Sequence, residues 1–142
     1  MEPGRIEFVH RSWPADPAQL AVIRHELADW LTPLRLTDDE TADVVLAVDE
    51  AAANAVLHAY GPAESGVVEL TLWTEPGPGV DDATLSIEVV DHGHWRRPDQ
   101  PAVAGGRGIP LMSSVVESVL IHYDDRGSRV LLRHRLPPAT DV

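Results

Sequence analysis

The sequence of 142 residues contains neither cysteine nor lysine. Without cysteine the chain can form no disulfide and offers no thiolate as a metal ligand or nucleophile, so oxygen and imidazole groups remain for its chemistry. Without lysine it has no Walker-type phosphate loop and no amine for a Schiff base. All 11 basic residues are arginine, and because the chain is also rich in alanine and proline, a general compositional bias explains this usage.

Long apolar runs are missing as well. None approaches the ~20 residues that a membrane span needs, and the first residues lack the apolar stretch of a secretory signal. We therefore expect a cytoplasmic protein with no membrane contact. The 11 arginines against 23 acidic residues give a formal charge of −12, which repels phosphate backbones and argues against direct nucleic-acid binding.

The length and a hydrophobic content of 44% are enough for one ordinary core, so we expect residues 1–142 to form a single domain. The alternation of RIEFVH at 5–10 predicts a first strand with Ile6 and Phe8 on one side. Asp16 is then predicted to cap a first helix, with Pro17 at its first helical position. The apolar positions of this first helix are Leu20, Ile23, Leu27, Trp30 and Leu31.

A second helix is predicted from Thr37 onward, because Thr37 and Glu40 have the spacing of a capping box. It continues to about His58. Its apolar positions are Val44, Val45, Val48, Ala52, Val56 and Leu57.

The second half of the chain predicts mainly strands. The alternating stretches at 67–73 and 83–90 are separated by a segment rich in proline, glycine and aspartate, which is typical of a hairpin. Residues 92–106 show neither period and form a loop of a length usual for functional lids or disorder. This order predicts an α+β two-layer sandwich, with a mixed, mainly antiparallel sheet covered on one face by helices. A third helix at 109–115 and strands at 119–123 and 129–136 complete the prediction.

The segment AVDEAAANAVLH, residues 47–58, carries two polar side chains on one helical face. Glu50 and Asn54 lie one turn apart. A carboxylate can take a proton from a hydroxyl or water, and an amide oxygen can help hold Mg²⁺, which keeps most of its waters and needs few protein ligands. Asp49 points about 100° away around the helix and need not share this site. A solvated helix face with a locally bonded asparagine is the alternative.

A second candidate feature stands at a strand end, where Asp91 is followed two residues later by Gly93. A carboxylate fixed there can accept a hydrogen bond from an exocyclic amine such as that of adenine, and glycine lets the backbone approach the base closely. An ordinary turn is the alternative. His92 and His94 make a poor metal site, because no third ligand is evident and cysteine is absent.

A glycine-rich segment, GGRGIPLM at 105–112, precedes the third predicted helix. Backbone amides of Gly105, Gly106 and Gly108 at a helix N-terminus can bind phosphate without a lysine, and Arg107 could add charge. A flexible hinge is the alternative.

In this order, the three segments resemble the motifs of the GHKL, or Bergerat-fold, ATPases, and within them the small anti-sigma factor serine/threonine kinases. DEAAANAVLHAY looks like the N-box of that family, DHGHW like its first glycine box and GGRGIPLM like its second. The resemblance extends over nearly the whole chain. One departure is His94, which stands where many members have a second glycine.

The resemblance implies a role for each matching residue. Glu50 would be the general base toward a substrate hydroxyl, and Asn54 would be the Mg²⁺ ligand. Asp91 would read the adenine of ATP, Gly93 would shape the base pocket, and residues 92–106 would be the ATP lid. Further nucleotide contacts would come from Gly105, Gly106, Arg107, Gly108 and Ser128, the last in the place of a threonine near the start of the final strand.

The resemblance further implies an ATP- and Mg²⁺-dependent serine/threonine protein kinase that phosphorylates an anti-sigma factor antagonist of the STAS type. The protein would also bind and sequester a sigma factor and could form a homodimer. Two alternatives stay open, a non-catalytic ATP-binding module that acts through protein contacts and a kinase-like domain of a larger multidomain regulator. Glu50 favours an enzyme, because a binding module has no need of a base.

Overall fold

The computed structural model describes residues 8–60, 65–76, 83–93 and 118–136. In chain order these residues form a strand, two helices and four further strands, and a π-helical turn extends the second helix. Among these residues neither helix is both long and apolar enough to cross a membrane. The elements are β1 (Val9–Pro14), α1 (Gln19–Leu31), α2 (Asp38–Asn54), the π-helical turn (Ala55–Ala59), β2 (Val67–Pro76), β3 (Ala83–Asp91), β4 (Ser118–Asp124) and β5 (Gly127–Leu136).

The five strands form one sheet in the order β1-β2-β3-β5-β4. Every neighbouring pair among these described strands is antiparallel, so this sheet is antiparallel throughout rather than mixed. The predicted pairing of β2 with β3 is confirmed, and it sets Val68 opposite Asp91. On the other side of β3, strand β5 sets Ser128 opposite Asp91. The sheet therefore joins residues that are far apart in the sequence.

Both helices cover one face of the sheet, as predicted. Alternate side chains of the strands point to this face and pack with helix residues in one hydrophobic cluster. The α+β two-layer sandwich is therefore confirmed. The largest fully buried side chains are Ile23, Leu27, Leu31, Val44, Val48, Val68, Leu70, Leu72, Leu85, Ile87 and Leu132.

The first strand begins later than predicted. The alternation favoured 5–10 with Ile6 and Phe8 on one side, but the strand is Val9–Pro14 and Phe8 is 68% exposed. Ile6 lies outside the described residues. The core residue of the strand is Trp13, which is 4% exposed. Burial of this large aromatic ring favours a strand that includes Trp13.

The start of α1 also differs from the prediction. Its N-cap position is Ala18, which has no side-chain cap, so the prediction of Asp16 as the cap is wrong. Asp16 instead accepts a hydrogen bond from the Ala18 amide at 2.9 Å through Oδ1, and its carbonyl oxygen accepts one from the Gln19 amide at 2.8 Å. Asp16 and Pro17 thus form a turn ahead of the helix.

The start of α2 follows the sequence signal closely. Thr37 Oγ1 accepts a hydrogen bond from the Glu40 amide, and Glu40 Oε1 accepts one from the Thr37 amide, each at 3.0 Å. The capping box is therefore confirmed. Near the other end, Leu57 is 59% exposed rather than buried, because nine positions at about 100° each place it on the side of the helix opposite the buried Val48. The remaining predicted apolar residues of α2 are buried or partly buried, namely Val44, Val45, Val48, Ala52 and Val56.

Glu40 makes the stability of this fold dependent on pH. The hydrogen bond from the Thr37 backbone amide holds the pKa of Glu40 below its ordinary value of 4.5, although desolvation opposes this shift. Pairing with His134 of β5, whose Nε2 lies 3.3 Å from Glu40 Oε2, lowers the pKa further. A carboxyl whose pKa is lower in the folded state stabilises the protein at pH values above the pKa of the unfolded state. This stability is lost as the pH falls through the pKa of the folded state.

We therefore expect the free energy of unfolding to decrease below pH 4.5 in part because Glu40 becomes protonated. The variant Glu40→Gln should be less stable than the unmodified protein at pH 7, and this difference should shrink as the pH is lowered. Urea unfolding of both proteins across the acid range measures the effect. A stability difference that is constant with pH would contradict the assignment.

Candidate functional site

Asp91 is the centre of the candidate site. It is the last residue of β3 and is only 2% exposed. Its Oδ2 accepts a hydrogen bond from the Ser128 hydroxyl at 2.5 Å, and its Oδ1 accepts one from the Gly93 amide at 3.1 Å. The structure thus brings Ser128, which only the family resemblance indicated, together with Asp91 and Gly93, which the sequence singled out as one feature. A buried carboxylate fixed in this way is suited to select a hydrogen-bond donor, such as an exocyclic amine.

Glycine is required next to this carboxylate, because the backbone of another element approaches closely. A Cβ added at Gly93 would lie well under 3.0 Å from the carbonyl group of Ala59, a distance that real Cβ atoms essentially never show. The turn of residues 91–93 therefore rests directly against the end of the π-helical turn. This contact joins the strand that carries Asp91 to the helix that carries Glu50 and Asn54.

Gly127 closes the opposite side of the same turn. Its φ is +142°, and an added Cβ would lie under 3.0 Å from the carbonyl oxygen of Asp91. Both backbone strain and overlap exclude a side chain at this position.

We expect Gly127→Ala to lower the free energy of unfolding by about 3 kcal/mol, because an L residue would be strained there and would also push Asp91 aside. Chemical unfolding measures the loss. Arg126→Ala is the matched control, since Arg126 is exposed in the same β4–β5 turn, and such a surface change should stay within about 0.5 kcal/mol. Equal effects of the two substitutions would contradict the close approach of Gly127 to Asp91.

Glu50 and Asn54 lie one turn apart on α2, and both side chains are half-buried. Neither has a hydrogen-bond partner among the residues that the structure describes. Asp49, by contrast, is paired with Arg24 of α1 at 2.9 Å. The acid pair in this helix is therefore divided, with Asp49 linking the two helices and Glu50 left available for a ligand or substrate.

No group of three or more histidine, aspartate or glutamate side chains within the described ranges could hold a metal ion. A Mg²⁺ ion held mainly by water and by phosphate oxygens needs fewer protein ligands, and a single amide oxygen such as that of Asn54 is compatible with this requirement.

Much of the predicted phosphate side falls outside the described residues. This holds for the lid beyond Gly93 and for the third predicted helix. The site residues concerned are His94, Gly105, Gly106, Arg107 and Gly108.

Tyr60, like Gly127, is a residue of this region that the sequence reasoning did not single out. Its hydroxyl accepts a hydrogen bond from the amide of His92 at 2.9 Å and donates one to the carbonyl oxygen of Val67 at 2.7 Å. The available signal was its position at the end of DEAAANAVLHAY, directly after the candidate helix.

Comparison with known families tests the resemblance that the motifs predicted. Residues 13–134 match the family model described as the histidine kinase-like ATPase domain. The chain belongs to this family. The matched range contains every candidate site residue, from Glu50 on α2 to Ser128 on β5.

Similar proteins narrow the resemblance to one branch of the family. An anti-sigma F factor of Clostridium botulinum (strain Eklund 17B / Type B) is 28% identical over 141 residues, covering 92% of each chain. A serine-protein kinase RsbW of Bacillus subtilis (strain 168) is 28% identical over 133 residues, covering 83% of this chain and 79% of the relative. The predicted resemblance to anti-sigma factor kinases is thereby confirmed.

A solved structure supports the same fold. The crystal structure of the RsbU and RsbW domains of a Mycobacterium tuberculosis protein superposes with a TM-score of 0.69 at 26% identity. The match covers 96% of this chain but only 35% of the solved chain, which carries the additional RsbU domain. This chain therefore corresponds to about a third of the solved chain.

Proposed function

We propose that the protein is an ATP-dependent serine/threonine kinase of the anti-sigma factor type. The observation that carries this proposal is the buried carboxylate of Asp91, which Ser128 and Gly93 hold at a strand end beside the helix of Glu50 and Asn54. The family match to histidine kinase-like ATPase domains supports ATP as the ligand, and the relatives named serine-protein kinase support transfer to protein. We also propose that residues 1–142 form a single domain.

The residues present fit a nucleotide. Asp91 would accept a hydrogen bond from the adenine amine, and the bare backbone at Gly93 would allow the base to approach. The hydroxyl of Ser128 would keep the Asp91 carboxylate in place. On the phosphate side, Asn54 would contribute an amide oxygen to Mg²⁺. Gly105, Gly106, Gly108 and Arg107 are proposed to contact the phosphates through amides and positive charge.

Glu50 is proposed as the general base. Its carboxylate would accept the proton of a serine or threonine hydroxyl on the partner, so that the hydroxyl oxygen becomes a better nucleophile. ATP bound with Mg²⁺ would supply the γ-phosphoryl group. Because phosphoryl transfer depends mainly on positioning and charge compensation, this small set of groups is enough.

The proposed partners follow from the relatives. By analogy with proteins named anti-sigma F factor and RsbW, the substrate would be a STAS-type anti-sigma factor antagonist and the sequestered protein a sigma factor. The net charge of −12 would favour basic patches on these partners. A homodimer is part of the same proposal.

Transfer of labelled phosphate tests the proposed activity. The protein is incubated with γ-labelled ATP, Mg²⁺ and STAS-type antagonists from the same organism, and we expect label on a serine or threonine of one of them. ATP binding without transfer to any antagonist would overturn the kinase and favour the non-catalytic module.

A further inference from the structure

The candidate site is divided between two elements. Glu50 and Asn54 belong to α2, whereas Asp91 and Gly93 belong to the end of β3 and the turn after it. If Asp91 anchors the base and Glu50 acts at the other end of the nucleotide, the geometry of transfer depends on how firmly these elements are joined. A displacement of about 1 Å can reduce a rate by about a hundredfold.

Besides the contact of Gly93 with Ala59, one phenol group connects these elements by hydrogen bonds. The hydroxyl of Tyr60 accepts hydrogen bonds from the amides of His92 at 2.9 Å and Val67 at 3.3 Å. It also donates one to the carbonyl oxygen of Val67 at 2.7 Å. Tyr60 follows directly after the π-helical turn that extends α2. A single oxygen atom therefore ties the end of the helix to the start of β2 and to the residue after Asp91.

The surroundings of Tyr60 are shaped to keep its ring in place. A Cβ added at Gly66 would lie under 3.0 Å from ring atoms of Tyr60, so the ring passes directly over a residue without a side chain. The side chain of His92 is itself paired with Glu69 of β2. The turn after Asp91 is thus held through its backbone by Tyr60 and through a side chain by Glu69.

From this geometry we propose that Tyr60 is a positioning residue, which couples the helix of Glu50 and Asn54 to the adenine-reading turn at Asp91. The inference rests on the proposed ATP site. The hydroxyl of Tyr60 is engaged with His92 and Val67, so we assign it a role through these residues rather than on the nucleotide or the reacting atoms. Loss of its hydroxyl leaves the His92 amide without its acceptor and removes one of the contacts that hold the turn, so that base recognition becomes less strict.

The test compares Tyr60→Phe with the unmodified protein and with Glu26→Ala. The Glu26 carboxylate accepts a hydrogen bond from the Trp13 indole at 2.9 Å, so its removal perturbs the fold between α1 and β1 without reaching Asp91. ATP and GTP affinities are measured by calorimetry, and exchange of the His92 amide is followed by NMR without nucleotide. Tyr60→Phe should bind ATP about tenfold more weakly, equivalent to ~1.4 kcal/mol, with a smaller preference for ATP over GTP and faster His92 exchange.

Glu26→Ala should lose thermal stability and keep the preference for ATP, because a purely structural change does not alter which base the folded molecules select. Gly66→Ala provides a second variant if Tyr60→Phe does not fold. The added methyl group displaces the ring of Tyr60 but retains its hydroxyl, so the preference for ATP over GTP should decrease as in Tyr60→Phe. If ATP affinity and the preference for ATP over GTP are unchanged in Tyr60→Phe, the proposed role of Tyr60 is overturned and the proposed function stands. If Tyr60→Phe does not fold, the same result in Gly66→Ala has this consequence. Absence of ATP binding by the unmodified protein would overturn the proposed function, and this inference with it.

Discussion

Replacing Glu50 with glutamine is expected to lower the rate of phosphotransfer by about 10²- to 10⁴-fold, the usual contribution of a general base. Glutamine has nearly the same size but cannot accept the proton of the substrate hydroxyl. ATP binding should stay within about tenfold of the unmodified protein, a window of ~1.4 kcal/mol, because Glu50 is assigned to the protein substrate and not to the nucleotide. Initial rates with labelled ATP and calorimetric titration measure the two quantities.

Asp49→Asn is the matched control for this experiment. Asp49 adjoins Glu50 in the sequence, but its carboxylate is paired with Arg24 of α1 at 2.9 Å. The pair is partly exposed, so its loss should cost at most about 1 kcal/mol of stability, and phosphotransfer should persist. Retained transfer in Glu50→Gln would refute the base assignment. Equal loss in both variants would show that the acid pair acts through the fold of the helix.

Replacing Asp91 with asparagine is expected to weaken ATP binding by about 10- to 100-fold, because a hydrogen bond to a charged group contributes about 1.5–3 kcal/mol. The carboxamide can turn a donor toward the adenine amine, where the carboxylate only accepts. Guanine has a carbonyl oxygen in place of that amine, so GTP affinity should change little or increase. Titration of the variant with both nucleotides measures the change in preference.

Ser128→Ala distinguishes the proposed hydrogen bond between Asp91 and adenine from the hydrogen bond by which Ser128 holds the Asp91 carboxylate. It removes the hydroxyl that donates to Asp91 Oδ2 but leaves the carboxylate in place. ATP affinity should therefore fall less than in Asp91→Asn, and ATP should still be preferred over GTP. Equal losses for both nucleotides in Asp91→Asn would count against adenine recognition by this residue.

Local signals in the sequence predicted most elements of the fold, and long-range contacts account for the errors. The capping box of Thr37 and Glu40 is a local pattern and was read correctly. Phe8 fitted the local alternation of apolar and polar residues that predicted the first strand. It is nevertheless exposed, because the burial of Trp13 decides where β1 pairs with β2. The apolar spacing likewise did not indicate the π-helical turn Ala55–Ala59, which contains Leu57.

In the candidate site, too, local patterns could be predicted from the sequence and long-range contacts could not. Glu50 and Asn54 could be predicted as a pair because the helical period places them on one face. The contact between Asp91 and Ser128 spans 37 positions and depends on strand pairing, so Ser128 was assigned only through the family resemblance. The hydrogen bond between Tyr60 and the His92 amide spans 32 positions, and no spacing rule in the sequence points to it.

Calorimetric titration of the unmodified protein with ATP, with and without Mg²⁺ and with GTP for comparison, tests the central claim most directly. The buried Asp91 carboxylate and the Asn54 amide together predict ATP binding that is strengthened by Mg²⁺, with GTP clearly weaker. Absence of ATP binding, or equal binding of ATP and GTP, would contradict the nucleotide site at the end of β3.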